Sequence, residues 1–343
     1  MATVSVAILG LGRIGASAAL ALKRYNARKD AQHQFDLTCG EMRPGIREDA
    51  QKIGLGDKIE RDLFRAAQGK DIVVMALPYA DMQVAYKSIA SDLRPGVVVL
   101  DASPLKLPSL EWAQKHLPKE AHMVGITPIL NPTYLFDGLD DTLHAKADLF
   151  DSGNMLMMPA PSAARDAVEL AADFSSLLGA TPHFFDPAEH DSLMALTEQL
   201  PALVGVALFH MMMKKEGWND AQRITNPGFG RATRSLFDTH PDDLRDGWLN
   251  NRESLLRGVD DLIATLRSFR EALGRGDRDA LEAALVESSD VYSAWVNRRH
   301  NAKWEEDKMG DTTGGVTLGG MVMGGLMGGF LSKKLTGNKK DDR

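Results

Sequence analysis

The sequence predicts an α/β protein in which an N-terminal doubly wound sheet is followed by an all-helical C-terminal region. Three observations carry this expectation. A short apolar segment, Thr3–Leu9, leads straight into Gly10-Leu11-Gly12-Arg13-Ile14-Gly15 and then an Ala/Leu-rich stretch, the order of a strand, a glycine turn and a helix. Continuous apolar runs of strand length then alternate with helical segments to about residue 185. From Asp242 onward apolar residues recur at helical spacing with no strand-like run between them.

The glycine turn suits a bound dinucleotide. Gly10 permits the tight turn, Gly12 lets backbone approach a pyrophosphate, and Gly15 lets helix pack on strand. The helix that follows offers unpaired N–H groups and the positive end of its dipole to phosphates. Gly10, Leu11, Gly12, Arg13, Ile14 and Gly15 are therefore candidate cofactor contacts. Gln34–Gly40 reads as the second strand and closes on Glu41, whose carboxylate would hydrogen-bond the ribose hydroxyls and repel a 2′-phosphate. That favours NAD. Arg43 and Arg47 follow closely and are placed to accept a 2′-phosphate, so NADP stays open.

Lys70–Pro78 is the next buried run, and Leu77-Pro78 ends it at the carboxyl edge where ligands of such sheets bind. Val97–Asp101, His122–Pro128 and Asn154–Pro159 follow, the last expected to complete the sheet. Ser103 and Lys106 lie just past a strand end. They suit binding of a substrate hydroxyl and carboxylate, or equally a helix N-cap serine with a solvated lysine.

In the C-terminal half, Asp186-Pro187-Ala188-Glu189 is a helix start with an N-cap, a first-turn proline and a capping glutamate. His190 falls in that first turn, where the helix dipole disfavours imidazolium; it is a candidate base, or an ordinary polar residue. Asn226–Arg234 carries Arg231 and Arg234 at a turn-to-helix junction, suited to gripping a carboxylate or to surface ion pairs. Leu255, Leu256, Val259, Leu262, Ile263, Leu266 and Phe269 form one stripe, and Leu281, Ala284, Leu285, Val291, Tyr292 and Trp295 another; stripes of this kind are core, or a dimer interface.

Composition bounds the alternatives. The 343 residues suffice for two domains, with 44% hydrophobic and 25% charged residues. A net charge of −7 gives no reason to expect nucleic-acid binding. The single Cys39 excludes an internal disulfide framework and a multi-cysteine metal site, and no metal is expected. The opening apolar run is too short for a signal peptide, so a cytoplasmic location is expected.

Together these residues resemble the prephenate/arogenate dehydrogenase family along the chain to about residue 300. The resemblance rests on the glycine turn, Asp71–Pro78, and Asp101-Ala102-Ser103-Pro104-Leu105-Lys106, which is similar to the family's D-x-G-S-V-K. It continues through Glu189-His190-Asp191 with Leu200-Pro201, Gly228-Phe229 with Thr233-Arg234, and His240-Pro241 through Arg245-Asp246 and Asn251. It implies a Rossmann domain over 1–185, a helical dimerisation domain over 186–305, a homodimer, and NAD(P)-dependent oxidative decarboxylation of a cyclohexadienol in tyrosine biosynthesis. Carried over, Ser103 positions the substrate hydroxyl, Lys106 supports that loop, and Arg234 binds a substrate carboxylate. Where the family has G-G-H-P-M-A-G this chain reads Gly125-Ile126-Thr127-Pro128-Ile129-Leu130-Asn131, so Thr127 stands at the catalytic histidine's position. S-H-L-P-H is replaced by Glu198-Gln199-Leu200-Pro201-Ala202. Thr127 is not itself a base near neutral pH, which points to His190 as proton acceptor or to a different substrate.

Two other readings follow from that departure: a related NAD(P)-dependent dehydrogenase of another small carboxylated alcohol, or a non-catalytic nucleotide-binding protein. The tail over 306–343 is Gly/Met-rich and read as flexible. Its uncharged stretch 314–331 has Gly320, Gly324 and Gly328 four apart, a spacing that also suits membrane contact.

Overall fold

The computed structural model describes residues 2–55, 59–137 and 140–301. The tail assigned to 306–343, with its membrane-contact reading of 314–331, lies outside the described residues. Eight strands form one sheet in the order β3-β2-β1-β4-β5-β6-β7-β8. They are β1 (Ala2–Leu9), β2 (His33–Gly40), β3 (Ile59–Glu60), β4 (Ile72–Met75), β5 (Val98–Asp101), β6 (His122–Ile129), β7 (Asn154–Pro159) and β8 (Thr181–Phe184).

The apolar runs are explained by two cores, one on each face. Along β1, Val6 and Ile8 point into one cluster with Ile72, Val74, Val98 and Leu100. Ala7 and Leu9 point into the other with Val73, Met75, Val97 and Val99. A strand covered on both faces by helices has no solvent side, so alternation disappears from its sequence.

Two expectations about the sheet are corrected. Asn154–Pro159 does not complete it, because β8 pairs in parallel beyond β7. Further, β7 runs antiparallel to β6. Thr181-Pro182-His183-Phe184 is polar, short and contains proline, the composition of an edge strand, and so gives no apolar signal. The two-residue β3 at the opposite edge is too short to leave one.

The chain leaves β1 toward β2 on one side and later returns to β4 on the other. The carboxyl ends of β1 and β4 therefore flank a topological switch point, the crevice where open α/β sheets bind ligands. The glycine turn sits there.

After β8 the chain is helical. Pro187–Met194, a π-turn over Ala195–Gln199 and Leu200–Met213 run on as one rod. Pro201, which lacks an N–H, lies just past the wide turn, and the π register absorbs the missing bond. This rod is long and apolar enough to cross a membrane by length and composition alone. Helices Pro241–Asn250, Arg252–Arg275 and Arg278–Asn301 follow. The second of these ends at Gly276, which takes the left-handed φ of 64° that a side chain would strain. The two expected apolar stripes are only partly core of this chain: Leu255 is buried and Val259, Leu262, Phe269 and Trp295 are half-buried, whereas Leu256, Ile263, Leu266, Leu285, Val291 and Tyr292 are exposed.

Candidate functional site

The glycine turn is built by exclusion. A Cβ on Gly10, whose φ is 89°, would lie 2.3 Å from the Ala76 carbonyl oxygen, and one on Gly15 would lie 2.0 Å from the Gly10 carbonyl oxygen. Gly12 faces open space, with nothing within 4 Å of such an atom. Two glycines thus let β1, β4 and the helix Arg13–Asn26 close together, while the third keeps a bare backbone open to a ligand. Gly12 is also the N-cap of that helix and supplies no side-chain cap, so its first N–H groups remain for an anion.

Glu41 reaches the turn from the end of β2. Buried at 1% exposure, it accepts from the Leu11 N–H at 3.0 Å and from the Arg43 N–H and Nε at 2.9 and 3.0 Å. Burial pushes its carboxyl up, but the Arg43 side chain and the two backbone N–H groups outweigh burial and hold it below the usual range. Arg43 is thereby committed to Glu41, and Arg47 donates to the Glu41 and Met42 carbonyls. Arg13, expected at the cofactor, is instead turned inward, buried and ion-paired to Asp137 at 2.6 Å. Thr142 was not foreseen: its hydroxyl donates to the Leu11 carbonyl at 2.6 Å and braces the turn from behind. Leu77 and Pro78 lie where expected, Leu77 buried and Pro78 capping the helix Tyr79–Ile89.

At the end of β5 the structure buries both residues expected at the substrate, and Lys106 takes the loop-supporting place that the resemblance implies. Lys106 is fully buried, its Nζ donating to the carbonyls of Asp101 (3.1 Å), Ser103 (2.5 Å) and Ile126 (2.8 Å). All three N–H bonds are used, so the ammonium is not a substrate ligand; it ties the end of β5 to β6 next to Thr127. Desolvation pushes its pKa down to about 8 despite the attraction of Asp101 and Asp191. Gly125 makes room for it, since a Cβ there would lie 3.0 Å from the Lys106 Cδ. Ser103 is likewise buried, its hydroxyl engaged with Ser109 at 2.6 Å and with the Leu105 carbonyl at 3.0 Å. In this structure its hydroxyl shapes the loop and is not free for the substrate hydroxyl it was expected to position.

Thr127 and His190, 63 residues apart, are brought into contact: Thr127 Oγ1 and His190 Nε2 are 2.8 Å apart. His190 is fully buried, and its Nδ1 is 2.8 Å from Asp191 Oδ1. The Asp191 carboxylate also accepts the Lys106 N–H at 2.8 Å and the Leu107 N–H at 2.9 Å, which places it at the N-terminus of the helix Lys106–His116. A carboxylate accepting from three sides requires Nδ1 to carry the proton, leaving Nε2 of the neutral ring to accept from the Thr127 hydroxyl. Asn251 steadies the array, donating to the Asp191 carbonyl at 2.7 Å and to Gln199 at 3.0 Å. Thr127 is only half-buried, the exposed end of a threonine–histidine–aspartate chain.

A cavity of about 600 Å³ between the sheet and the helical region meets this array only through Gln199; it is lined also by Tyr79, Pro104, Asp140, Glu198, Arg231 and Trp248, and Thr127, His190 and Asp191 do not line it. Arg234 is not on it. It lines a neighbouring hollow with Phe209 and Phe237 and pairs with Asp238 at 2.7 Å. Of the expected substrate residues, Thr127 and His190 converge and Arg234 stands apart.

Comparison with known proteins agrees with this architecture. A model for the prephenate dehydrogenase nucleotide-binding domain matches residues 19–182, and one for the prephenate dehydrogenase dimerization domain matches residues 186–287. A cyclohexadienyl dehydrogenase of Zymomonas mobilis is 27% identical over 293 residues, 84% of this chain and 95% of its own length. A prephenate dehydrogenase of Bacillus subtilis is 24% identical over 302 residues, 87% and 78% of the two chains. In fold, the chain resembles prephenate dehydrogenase from Aquifex aeolicus in complex with hydroxyphenyl propionate and NAD+, at a TM-score of 0.69 and 18% identity over 86% of this chain and 99% of that one. Synechocystis arogenate dehydrogenase gives 0.61 and 20% over 85% and 99%. With both domain models matched in order along one chain, and curated relatives matched over most of their length, this protein belongs to the prephenate dehydrogenase family.

Proposed function

We propose that this chain is an NAD-dependent dehydrogenase that oxidises and decarboxylates a carboxylated cyclohexadienol of the prephenate type. The observation that carries the reading is the Asp191–His190–Thr127 chain, ending half-exposed on β6 at the carboxyl edge that holds the glycine turn. The residues fit a dinucleotide: Gly12 leaves the space a pyrophosphate needs, and Glu41 stands at the β2 end where ribose hydroxyls bind. Arg43, already held by Glu41, is a poor receiver for a 2′-phosphate, which supports NAD over NADP. We place the nucleotide part in 1–185 and the helical part in 186–305, and the dimerization-domain match with the exposed apolar stripes supports a homodimer.

Bound NAD supplies the hydride acceptor. The protein's part is the proton. The substrate hydroxyl donates to Thr127 Oγ1 while the Thr127 hydroxyl passes its own proton to His190 Nε2, so the threonine ends as it began. When the ring carboxylate leaves as carbon dioxide, its bonding pair completes the aromatic ring and the proton returns from His190 through Thr127 to the phenolate oxygen. Asp191 fixes the Nδ1–H tautomer and stabilises the imidazolium that forms. Because His190 is fully buried, its ring acts on substrate through Thr127 and not by contact. Lys106, bonded to the Ile126 carbonyl, sets the backbone from which Thr127 projects.

The test is reduction of NAD on addition of prephenate or its α-amino counterpart, followed by nicotinamide absorbance. Absence of turnover with both at high enzyme concentration refutes this function. Loss of the family's histidine at Thr127 favours one second reading, a dehydrogenase of another small carboxylated alcohol, which a substrate screen by cofactor fluorescence would separate.

A further inference from the structure

Among the described residues, the buried carboxylates and nitrogen bases are Arg13 and Glu41 at the glycine turn, and Asp101, Lys106, His190 and Asp191 behind Thr127. The first two are matched where they stand, Arg13 with Asp137 and Glu41 with Arg43. The other four are brought together by β5, the helix Lys106–His116 and the helix Pro187–Met194, and their charges do not cancel.

Hydrogen bonding fixes each charge. The Asp101 carboxylate accepts the Ser103 N–H at 2.6 Å through one oxygen and the Tyr86 O–H at 2.5 Å through the other, so both oxygens are acceptors. Asp191 accepts from three sides. Lys106 Nζ donates to three carbonyls, which takes the three N–H bonds of an ammonium, whereas an amine has two. With His190 neutral, the cluster holds two negative charges and one positive. Tyr79 and Tyr86, from the helix Tyr79–Ile89, leave that count unchanged: burial pushes both phenols up, and the Asp101 charge adds to it, so they keep their protons. A buried ammonium beside the relay opposes a second cation there, and Lys106 feels the charges of Asp101 and Asp191 alike.

We propose that Asp101 is a positioning residue of the proton relay, the counter-charge that offsets Lys106 so that His190 can become imidazolium. The proton drawn from substrate then takes the cluster from one negative charge in excess to neutrality. This rests on the dehydrogenase reading above and deepens it. Asp101 acts at one remove, through Lys106. Without it, an ammonium and an imidazolium would share Asp191, and a fully buried site would carry a net positive charge. Lys106 is needed in place to satisfy three carbonyls, and Asp101 lets that cation stand next to a base.

The experiment removes each charge in turn. D101N keeps the shape, with its carbonyl placed for the Ser103 N–H and its amide for the Tyr86 oxygen, and takes away one negative charge. K106M takes away the positive one. NMR titration of protein carrying isotope-labelled histidine and lysine, with the His190 signal assigned by its loss in H190Q, follows both protons. D101N is expected to lower the pH at which Lys106 and His190 are both charged by at least about one unit, a decade in proton affinity. K106M, titrated at a temperature where it stays folded, is expected to raise the pH at which His190 is charged by a similar amount. Damage to packing alone would move the two variants the same way. In turnover, D101N should lower kcat by about 10- to 100-fold, hold KM for the dienol within about threefold, and move the acid limb of the kcat profile to lower pH. Midpoints unmoved, or moved in one direction in both variants, overturn the proposal, as does a D101N kcat within about threefold of wild type. Should D101N not fold, K106M decides it: a His190 midpoint that fails to rise overturns the proposal. Opposite shifts in a protein that turns over neither prephenate nor its α-amino counterpart support the counter-charge and refute only the dehydrogenase reading.

Discussion

Replacing Asp191 by asparagine is the sharpest probe of the proton path. The carboxylate accepts from Lys106 N–H and His190 Nδ1 through one oxygen and from Leu107 N–H through the other. An asparagine keeps the first two bonds if its carbonyl takes the Oδ1 place, so the ring stays in position and only the charge and the Leu107 bond are lost. An imidazolium and a carboxylate with charge centres about 4 Å apart attract by about 4 kcal/mol at an effective dielectric of about 20. That attraction exists only when the ring is protonated, so it stabilises the transition state and not the resting enzyme. At about 1.4 kcal/mol per decade, kcat should fall by about three decades while the dissociation constant of NAD stays unchanged. The lost Leu107 bond should lower stability by about 1.5–3 kcal/mol, read by thermal unfolding at a temperature where the variant remains folded in the kinetic assay. Steady-state rates of NAD reduction by the dienol substrate, with NAD affinity from fluorescence titration, measure both. A variant that stays folded, binds NAD and keeps kcat within about threefold of wild type would show that no positive charge forms on His190, and the relay would be wrong.

Other consequences are more direct. Thr127→Val removes the hydroxyl on Nε2 and should cost about two to four decades in kcat, whereas Thr127→Ser should retain most of it; equal loss in the two would indicate a packing role. Lys106→Met leaves three carbonyls without their donor and should destabilise the fold by about 3–6 kcal/mol in urea unfolding. The same lysine gives a pH signature. Unfolded, it keeps its proton to 10.5, but in the fold it releases it at about 8, so between those values the unfolded state binds more protons and stability rises with pH. The burial penalty is therefore present in full below pH 8 and relieved as pH climbs toward 10.5; wild type should gain stability over that window relative to Lys106→Met, and parallel curves would contradict it. In the glycine turn, Gly12→Ala should leave unfolding within about 0.5 kcal/mol of wild type yet weaken NAD binding, because its side chain points into open space. Gly10→Ala should instead destabilise the protein itself, as its Cβ would collide with the Ala76 carbonyl at a positive φ.

Much of the sheet was legible in advance, since a strand buried on both faces must be apolar at every position. The antiparallel β7 and the edge strand β8 were not, because pairing direction leaves no mark in composition and an edge strand needs no apolar face. The helical stripes were legible as helices, but burial was not: a face turned to a second copy of the chain has the same periodicity as one turned to the core.

By itself the sequence determined the nucleotide turn, because glycine spacing is a local backbone requirement, and through its resemblance to the family it singled out Thr127 as standing where a histidine is expected. Tertiary structure alone decided what that substitution means. Thr127 and His190 are 63 residues apart, and only the packing of the helix Lys106–His116 on Asp191 brings the imidazole behind the threonine. The same packing buried Lys106 and Ser103, since side chains that look exposed in a loop satisfy carbonyls and hydroxyls inside it. Local motifs specify backbone, whereas the partners of a buried polar group are set by whichever distant segment closes over it.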